Sequence, residues 1–408
     1  MIRAVLLALM LLFPAAVVAQ GFSALARVMP ENSSLRDKGR DVHLQLGLSQ
    51  GVPFRVFTLD APARLVLDFQ EVDWSALAVG TFGDSAQVAA LRYGGYVPGW
   101  SRMVLELAGP MEVSQVAMTV DDETVEAELK VKLSPTDAQT FAKAAGAPQD
   151  PRWDLPEPEP IALAPEQRRN GPLVVMLDPG HGGLDPGAET EYNGQYQNEK
   201  SLMLRFAYEL GEILMRSGEF EVILTREGDY FVSLERRIAM AHQVEADLFV
   251  SLHADALAEG LAHGASIYVL SEEASDVASA KLAERHDRAQ LLSGTDLSGT
   301  DDAVTDIMLD LARQETQPRS EALAASVVRG LQSEAVKMYR RPLQSAGFSV
   351  LKSADIPSIL VEVGYLSSPK DAANITNPDW RKKAARGIMN GIRAWRNQDE
   401  AQRALVRQ

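Results

Sequence analysis

The chain has 408 residues, 46% of them hydrophobic, no cysteine, and a formal net charge of −16 at pH 7. That length allows two separate cores. The acidity argues against nucleic-acid and anionic-lipid partners, which need a basic face. The lack of thiols excludes a disulfide framework, a cysteine nucleophile and a cysteine-ligated metal site.

Residues 1–20, MIRAVLLALMLLFPAAVVAQ, hold one positive charge at Arg3, an apolar run from Ala4 to Phe13, and Val17-Val18-Ala19 as a small-residue cleavage site. This is the pattern of a secretory signal, cleaved after about Ala19, with an uncleaved anchor as the alternative, and its apolar run is short for a membrane span. The expectation is an exported, periplasmic protein whose mature chain is not stably inserted in the membrane.

From residue 22 to 133 the segments VHLQLGLS, FRVFTL, ARLVLDF, SRMVLELA and TVEAELKVKL alternate apolar and polar residues. Period two marks half-buried strands, and strands at this spacing predict an all-β sandwich. Residues 134–172 contain GAPQDPRWDLPEPEPIALAPEQRRNGP, whose prolines cannot sit inside helices or sheets, so the stretch reads as a linker.

From 173 to 398 the pattern becomes strand and helix in turn, followed by a tail at 399–408. LVVMLD is a buried strand; the segment from Asn198 to Gly218 places Leu202, Phe206, Leu210 and Leu214 on one helix face, with Asn198 as cap and Gly218 as stop. FEVILT, ADLFVSLHA, GASIYVLS and SILVEVGYL follow as strands, SLERRIAMAHQV and a last segment around Trp380 to Trp395 as helices. Such alternation predicts an α/β domain with a mostly parallel sheet covered on both faces, whose ligands bind beyond the carboxyl ends of the strands.

Four polar residues fall at that edge. His181 stands just past the first strand in LDPGHGG, His253 ends LFVSLHADA, Glu199 lies in the first turn of the helix capped by Asn198, and Glu362 lies inside the apolar strand ILVEVG. Two imidazoles and a carboxylate with an open fourth position suit a catalytic zinc, and a further glutamate suits the general base. Each residue alone has a plainer reading: a hydrogen-bonded strand-end histidine, or an acid placed for the helix dipole. A carboxylate buried in an apolar strand is the costliest of the four and the most telling. No H-E-x-x-H helix is present, which argues against a zincin-type protease.

The ordered motifs LDPGHGGLDPGA, NEK, TREGDYFVSLERR, ADLFVSLHADA, GASIYVLS and SILVEVGYLSS resemble the type-3 family of zinc-dependent N-acetylmuramoyl-L-alanine amidases, over Leu173 to about Arg396. FTLDAPARLVLDF, Phe57 to Phe69, resembles the core motif of the AMIN domain, a β-sandwich that targets peptidoglycan or a related envelope polymer. A generic sandwich without a ligand is the plainer alternative. The resemblance implies a peptidoglycan hydrolase that cuts between N-acetylmuramic acid and the L-alanine of the stem peptide. It implies one Zn2+ per catalytic domain, His181, Glu199 and His253 as ligands, and Glu362 as the catalytic glutamate. Gly180, Gly182 and Gly183 would then keep side chains away from a metal-bound imidazole. Arg226 and Arg237 also match the family pattern; our reading of them is structural, with Arg237 pairing acids near the site, and contact to stem-peptide carboxylates is the alternative. Asp178 and Asp255 are candidates to orient His181 or His253, or to form turns.

Between IYVLS and GFSVLK lie about 75 residues of helical pattern, with 272–320 as an insert. DDAVTDIMLDLARQ aligns Val304, Ile307, Met308 and Leu311, and the next stretch aligns Leu323, Val327 and Leu331. In the division amidases that the chain resembles, a helix here blocks the zinc through a glutamate in LAxxEN until an activator removes it. This sequence reads LAERHDRAQ, so the resemblance implies that His286 or Glu284 is the inhibitory fourth ligand, and that a LytM-type activator at the division site releases it for daughter-cell separation. Two other readings remain at this level: a non-catalytic wall-binding or activator protein, and a zinc peptidase acting within the stem peptide.

Overall fold

The computed structural model describes residues 25–148, 171–256, 263–288 and 303–406, apart from positions 71, 79, 98, 122 and 354, with backbone alone for 303–315 and 402–406. The signal segment, most of the proline-rich stretch, and the middle of the insert lie outside the described residues. So do the side chains of Val304, Ile307, Met308 and Leu311.

The N-terminal unit is a two-sheet sandwich. One sheet has the order β5-β1-β2-β9-β8, built from β1 (Ala26–Lys38), β2 (Asp41–Leu48), β5 (Val72–Asp73), β8 (Met111–Val120) and β9 (Ala127–Pro135). The other has the order β3-β4-β7-β6, from β3 (Phe54–Leu59), β4 (Arg64–Gln70), β6 (Val88–Val97) and β7 (Trp100–Leu107). Alternation drives the packing: Leu44, Leu46 and Leu48 of β2 meet Leu65, Leu67 and Phe69 of β4 and Met103 and Leu105 of β7 in one buried core. Full burial of each such side chain stabilises by about 1.5–3 kcal/mol.

Four strands, β1, the two-residue β5, β6 and β8, have no counterpart in the alternating pattern. β6 reads VAALRYGGYV, and its adjacent glycines look like a turn. The proline-rich stretch also begins later than expected. Asp137 caps a short helix, α1 (Ala138–Ala144), whose Phe141 packs into the sandwich core, and the Gly146 amide donates to the Thr58 carbonyl.

The second unit is built on a six-stranded sheet of order β13-β10-β14-β17-β15-β16. Its members are β10 (Leu173–Pro179), β13 (Phe220–Leu224), β14 (Leu248–His253), β15 (Ala265–Leu270), β16 (Met338–Ala346) and β17 (Ser358–Glu362). All neighbours are parallel except β15 against β17. A hairpin, β11 (Glu189–Tyr192) and β12 (Gln195–Asn198), leads into α2 (Glu199–Arg216). α2, α5 (Ala303–Ser333), α6 (Pro369–Thr376) and α7 (Pro378–Val406) cover one face of the sheet. α3 (Leu234–Gln243), α4 (Val277–Arg288) and a 3-10 turn at Ser349–Leu351 cover the other.

One element departs from the helical reading of the residues between IYVLS and GFSVLK. MYRRPLQSA forms β16, an edge strand that carries Pro342 and two arginines, which edges tolerate and which hide the period-two signal. GFSVLK is a tight turn whose Val350 and Leu351 are buried under α3.

Candidate active site and metal centre

β10 ends at the carboxyl edge of the sheet and delivers Asp178, Gly180 and His181 in succession. His181 adopts φ +61, a left-handed conformation uncommon outside glycine, and two buried arginines hold the carbonyls around it. Arg237 donates to the Pro179 carbonyl (3.0 Å) and the His181 carbonyl (2.8 Å), and Arg226 to those of Pro179 (3.0 Å), Gly180 (2.9 Å) and Lys200 (2.7 Å). Both guanidiniums are therefore occupied by carbonyls of this loop and of its neighbours Lys200, Gly228 and Val232. Burial lowers the Arg226 pKa to about 10, with the neighbouring Arg237 charge adding to it.

Asp178 sits beneath this loop, ion-paired to Arg237 and accepting from the hydroxyls of Thr225 and Ser251, both at 2.6 Å. It orients no imidazole. That task falls to Asp185, which sequence reasoning missed: its Oδ2 lies 2.8 Å from His181 Nδ1. An Nδ1–H donated to Asp185 leaves Nε2 with its lone pair free. The signal was the second acid of LDPGHGGLDPG, four residues beyond the histidine.

Glu199 opens α2, with the Asn198 side chain accepting from the Ser201 amide (3.1 Å). Its carboxylate is fully buried and accepts from the Ala188 amide (2.9 Å) and the Ala254 amide (2.8 Å). One oxygen then lies 3.1 Å from His253 Nδ1 and the other 3.2 Å from His181 Nε2. His253 ends β14 in register with Glu362 on β17. Glu362 Oε2 accepts from the Asp255 amide (3.0 Å). Glu362 Oε1 is buried with no hydrogen-bond partner, and His181 Nε2 meets the Glu199 carboxylate without hydrogen-bond geometry.

The donor set fits a four-coordinate ion. Ligand atoms about 2.0–2.2 Å from a tetrahedral metal lie about 3.3–3.6 Å apart, a little more than the 3.1 and 3.2 Å separations seen on Glu199. The field of the site favours positive charge, which a bound cation would supply in place of the His181 proton. Burial disfavours a charged His181, but the Asp185 and Glu199 carboxylates outweigh it and hold the imidazole well above its usual 6.5. Burial, with the neighbouring His286, pushes His253 down to about 4. Burial, reinforced by Glu199 and Asp255, holds Glu362 well above the ordinary carboxylate value.

Glycine makes the crowding feasible. A Cβ at Gly180 would stand 2.2 Å from the His253 ring, and one at Gly187 would stand 2.7 Å from both Glu199 and His181. Gly182 and Gly183 serve differently from the expectation, since a Cβ there would meet the Tyr230 carbonyl (2.3 Å) and the Gly95 carbonyl (1.7 Å). They clear the backbone of Tyr230 and of Gly95 in β6 rather than an imidazole.

α4 closes over this cluster. The His286 ring lies 4.2 Å from that of His253 and 5.6 Å from that of His181, and the three histidines offer nitrogens within 4.8 Å of one another. His286 Nε2 is 3.2 Å from Asp255 Oδ2 and 4.0 Å from Glu362 Oε1. Arg285 donates to Asp255 Oδ1 (2.6 Å), so Asp255 holds the helix and neither His181 nor His253. Glu284 is exposed, because two residues along a helix turn a side chain about 200° away from His286.

The chain thus joins a β-sandwich to an α/β domain that gathers His181, Glu199, His253 and a buried Glu362 at its sheet edge. Residues 175–394 match the family model described as N-acetylmuramoyl-L-alanine amidase, and residues 33–133 the AMIN domain. The chain is 31% identical over 360 residues to the N-acetylmuramoyl-L-alanine amidase AmiC of Escherichia coli O6:H1, covering 84% of this chain and 83% of that one. It is 30% identical to AmiC of Neisseria meningitidis serogroup B, covering 91% and 89%. Against AmiA of Salmonella typhimurium it is 36% identical, covering 56% and 78%. The solved N-acetylmuramoyl-L-alanine amidase from Clostridium difficile 630 aligns at 26% identity with a TM-score of 0.41, covering 56% of this chain and 98% of that one. The chain belongs to the N-acetylmuramoyl-L-alanine amidase family, carries an N-terminal AMIN domain, and has peptidoglycan as its substrate.

Proposed function

We propose that this chain is a zinc-dependent, periplasmic amidase of daughter-cell separation, with His181, Glu199 and His253 as metal ligands and Glu362 as catalytic glutamate. The observation that carries the reading is the bridging Glu199 carboxylate between two imidazoles, beside an unpartnered Glu362 Oε1. Bound zinc would supply a Lewis acid that polarises the scissile carbonyl and makes water acidic near neutral pH.

The chain's own residues do the rest. The Asp255 amide fixes Glu362 through Oε2, leaving Oε1 to accept a proton from the attacking water. Its raised pKa suits a group that must hold that proton until the alanine nitrogen leaves and takes it. Asp185 keeps the His181 tautomer, while Arg226 and Arg237 fix the loop backbone. Replacing Glu362 with glutamine should keep the fold and one zinc per chain while slowing cleavage of a muramoyl-peptide by about 10²–10⁴-fold, the usual worth of a general base. A variant as active as the wild type would remove Glu362 from the chemistry.

The resting enzyme is held off by α4, with His286 as the inhibitory fourth ligand. The buried His286 ring and the Arg285–Asp255 latch support this. An activator of the LytM type would act by binding the displaced helix, and could shift the balance only by its preference for the open state. Deleting Ala274 to Gly299 should raise basal activity; a folded deletion with unchanged activity would end the autoinhibition proposal.

A further inference from the structure

In the β3-β4-β7-β6 sheet the side chains that point away from the sandwich core are buried as well. Val66, Asp68, Arg102 and Val104 are at most 3% exposed, although an isolated antiparallel sheet would leave that face to water. At its β6 side this face meets the rim of the catalytic cavity. The Gly95 carbonyl accepts from the amides of Leu184 and Phe231, each at 3.2 Å, and so ties together two loops, the one after His181 and the one before α3. Tyr96 stacks on Phe231 with ring centroids 6.0 Å apart and planes 14° apart. Arg102 lies 3.7 Å over the Tyr96 ring and is itself fixed by Asp68 through a two-armed ion pair at 2.5 and 3.0 Å.

The approach is too close for any residue but glycine. A Cβ at Gly94 would stand 2.6 Å from the Gly183 backbone, and one at Gly95 would stand 2.8 Å from the Asp229 carbonyl. Phe231 in turn lines the cavity together with His181, His253 and His286. The loop between His181 and Glu199 contains Gly182, Gly183 and Gly187, all at positive φ, and such a segment needs external support to hold one shape.

We propose that the N-terminal sandwich is a working part of the catalytic centre: Gly94, Gly95 and Tyr96 dock on the loops that carry His181 and Phe231 and hold them in the metal-binding arrangement. These are positioning residues, since none touches the ligand set. The proposal rests on the zinc reading only for one readout, metal affinity; docking itself is read from amide exchange.

The test uses the full chain and two variants, Gly94→Val and Val104→Lys, compared with wild type by amide exchange under mass spectrometry and by zinc titration. Both variants should exchange the Leu184 and Phe231 amides at least tenfold faster and bind zinc about tenfold more weakly, the usual cost of losing a support behind the ligands. Wild-type exchange at both amides in both variants would overturn the docking. Faster exchange with unchanged zinc affinity would overturn the positioning role. If Gly94→Val unfolds the sandwich, seen as lost protection across β2 and β9, Val104→Lys decides alone. A wild-type chain that binds no zinc would refute the metal reading, and exchange would still decide the docking.

Discussion

Gly180 is the position where a single methyl group should do most harm. A Cβ there would lie 2.2 Å from His253 Cε1, 2.5 Å from Nε2 and 2.6 Å from Nδ1. Ordinary contact begins at 3.4 Å, so the ring must retreat by about 1.2 Å. It has little room, because Glu199 holds one side at 3.1 Å and the His286 ring stands 4.2 Å away. Overpacking of this kind costs about 1–3 kcal/mol, which a protein of this size survives. A shift of about 1 Å in a catalytic constellation costs about 10²-fold in rate. Gly180→Ala should therefore fold, with a somewhat lower Tm, yet bind zinc more weakly and hydrolyse muramoyl-peptides about a hundredfold more slowly. Zinc affinity by chelator competition, the initial rate and the circular-dichroism melt read the three effects separately. A folded variant with wild-type zinc affinity and rate would refute the claim that His253 is a ligand packed against this glycine.

Asp185→Asn should free the His181 tautomer and weaken zinc binding by about 10–100-fold, measured by the same competition, with little change in Tm. Asp178→Asn leaves Arg237 buried without its counter-ion and should cost about 3–5 kcal/mol in urea unfolding. Burial raises the Asp178 pKa, but Arg237, Ser251 and Thr225 together bring it below 3.8. Its contribution is therefore complete above pH 3.8 and is lost as pH falls through the lower folded value, so wild type and variant should converge only in that acid range. Arg285→Ala removes the 2.6 Å latch on Asp255 and should raise basal hydrolysis several-fold without altering Tm by more than a degree or two, since Arg285 is half exposed.

Much of the candidate site was legible because its polar residues sit at strand ends. Apolar runs fix where β10, β14 and β17 stop, and His181, His253 and Glu362 stand at those stops; Asn198 announces the helix that begins with Glu199. What escaped depends on contacts across the chain. Asp185 reaches His181 only through the turn that Gly182 and Gly183 permit. The roles of Asp178 and Asp255 depend on Arg237 from α3 and Arg285 from α4, which no local spacing relates to them. β16 was hidden because an edge strand can carry Arg340, Arg341 and Pro342 in place of alternating apolar residues. β6 was hidden by Gly94-Gly95, which resembles a turn and instead marks a close approach of two backbones. Choosing His286 over Glu284 required knowing which face α4 turns to the sheet.

The central claim is that this cluster cuts the amide between N-acetylmuramic acid and L-alanine with a metal. The most direct measurement is mass spectrometry of what the purified chain, lacking Ala274–Gly299, releases from sacculi with zinc, after chelation, and with Glu362→Gln. The account predicts free stem peptides beginning with L-alanine, present only when both zinc and Glu362 are in place. Fragments cut within the stem peptide, or release that ignores metal or Glu362, would contradict it.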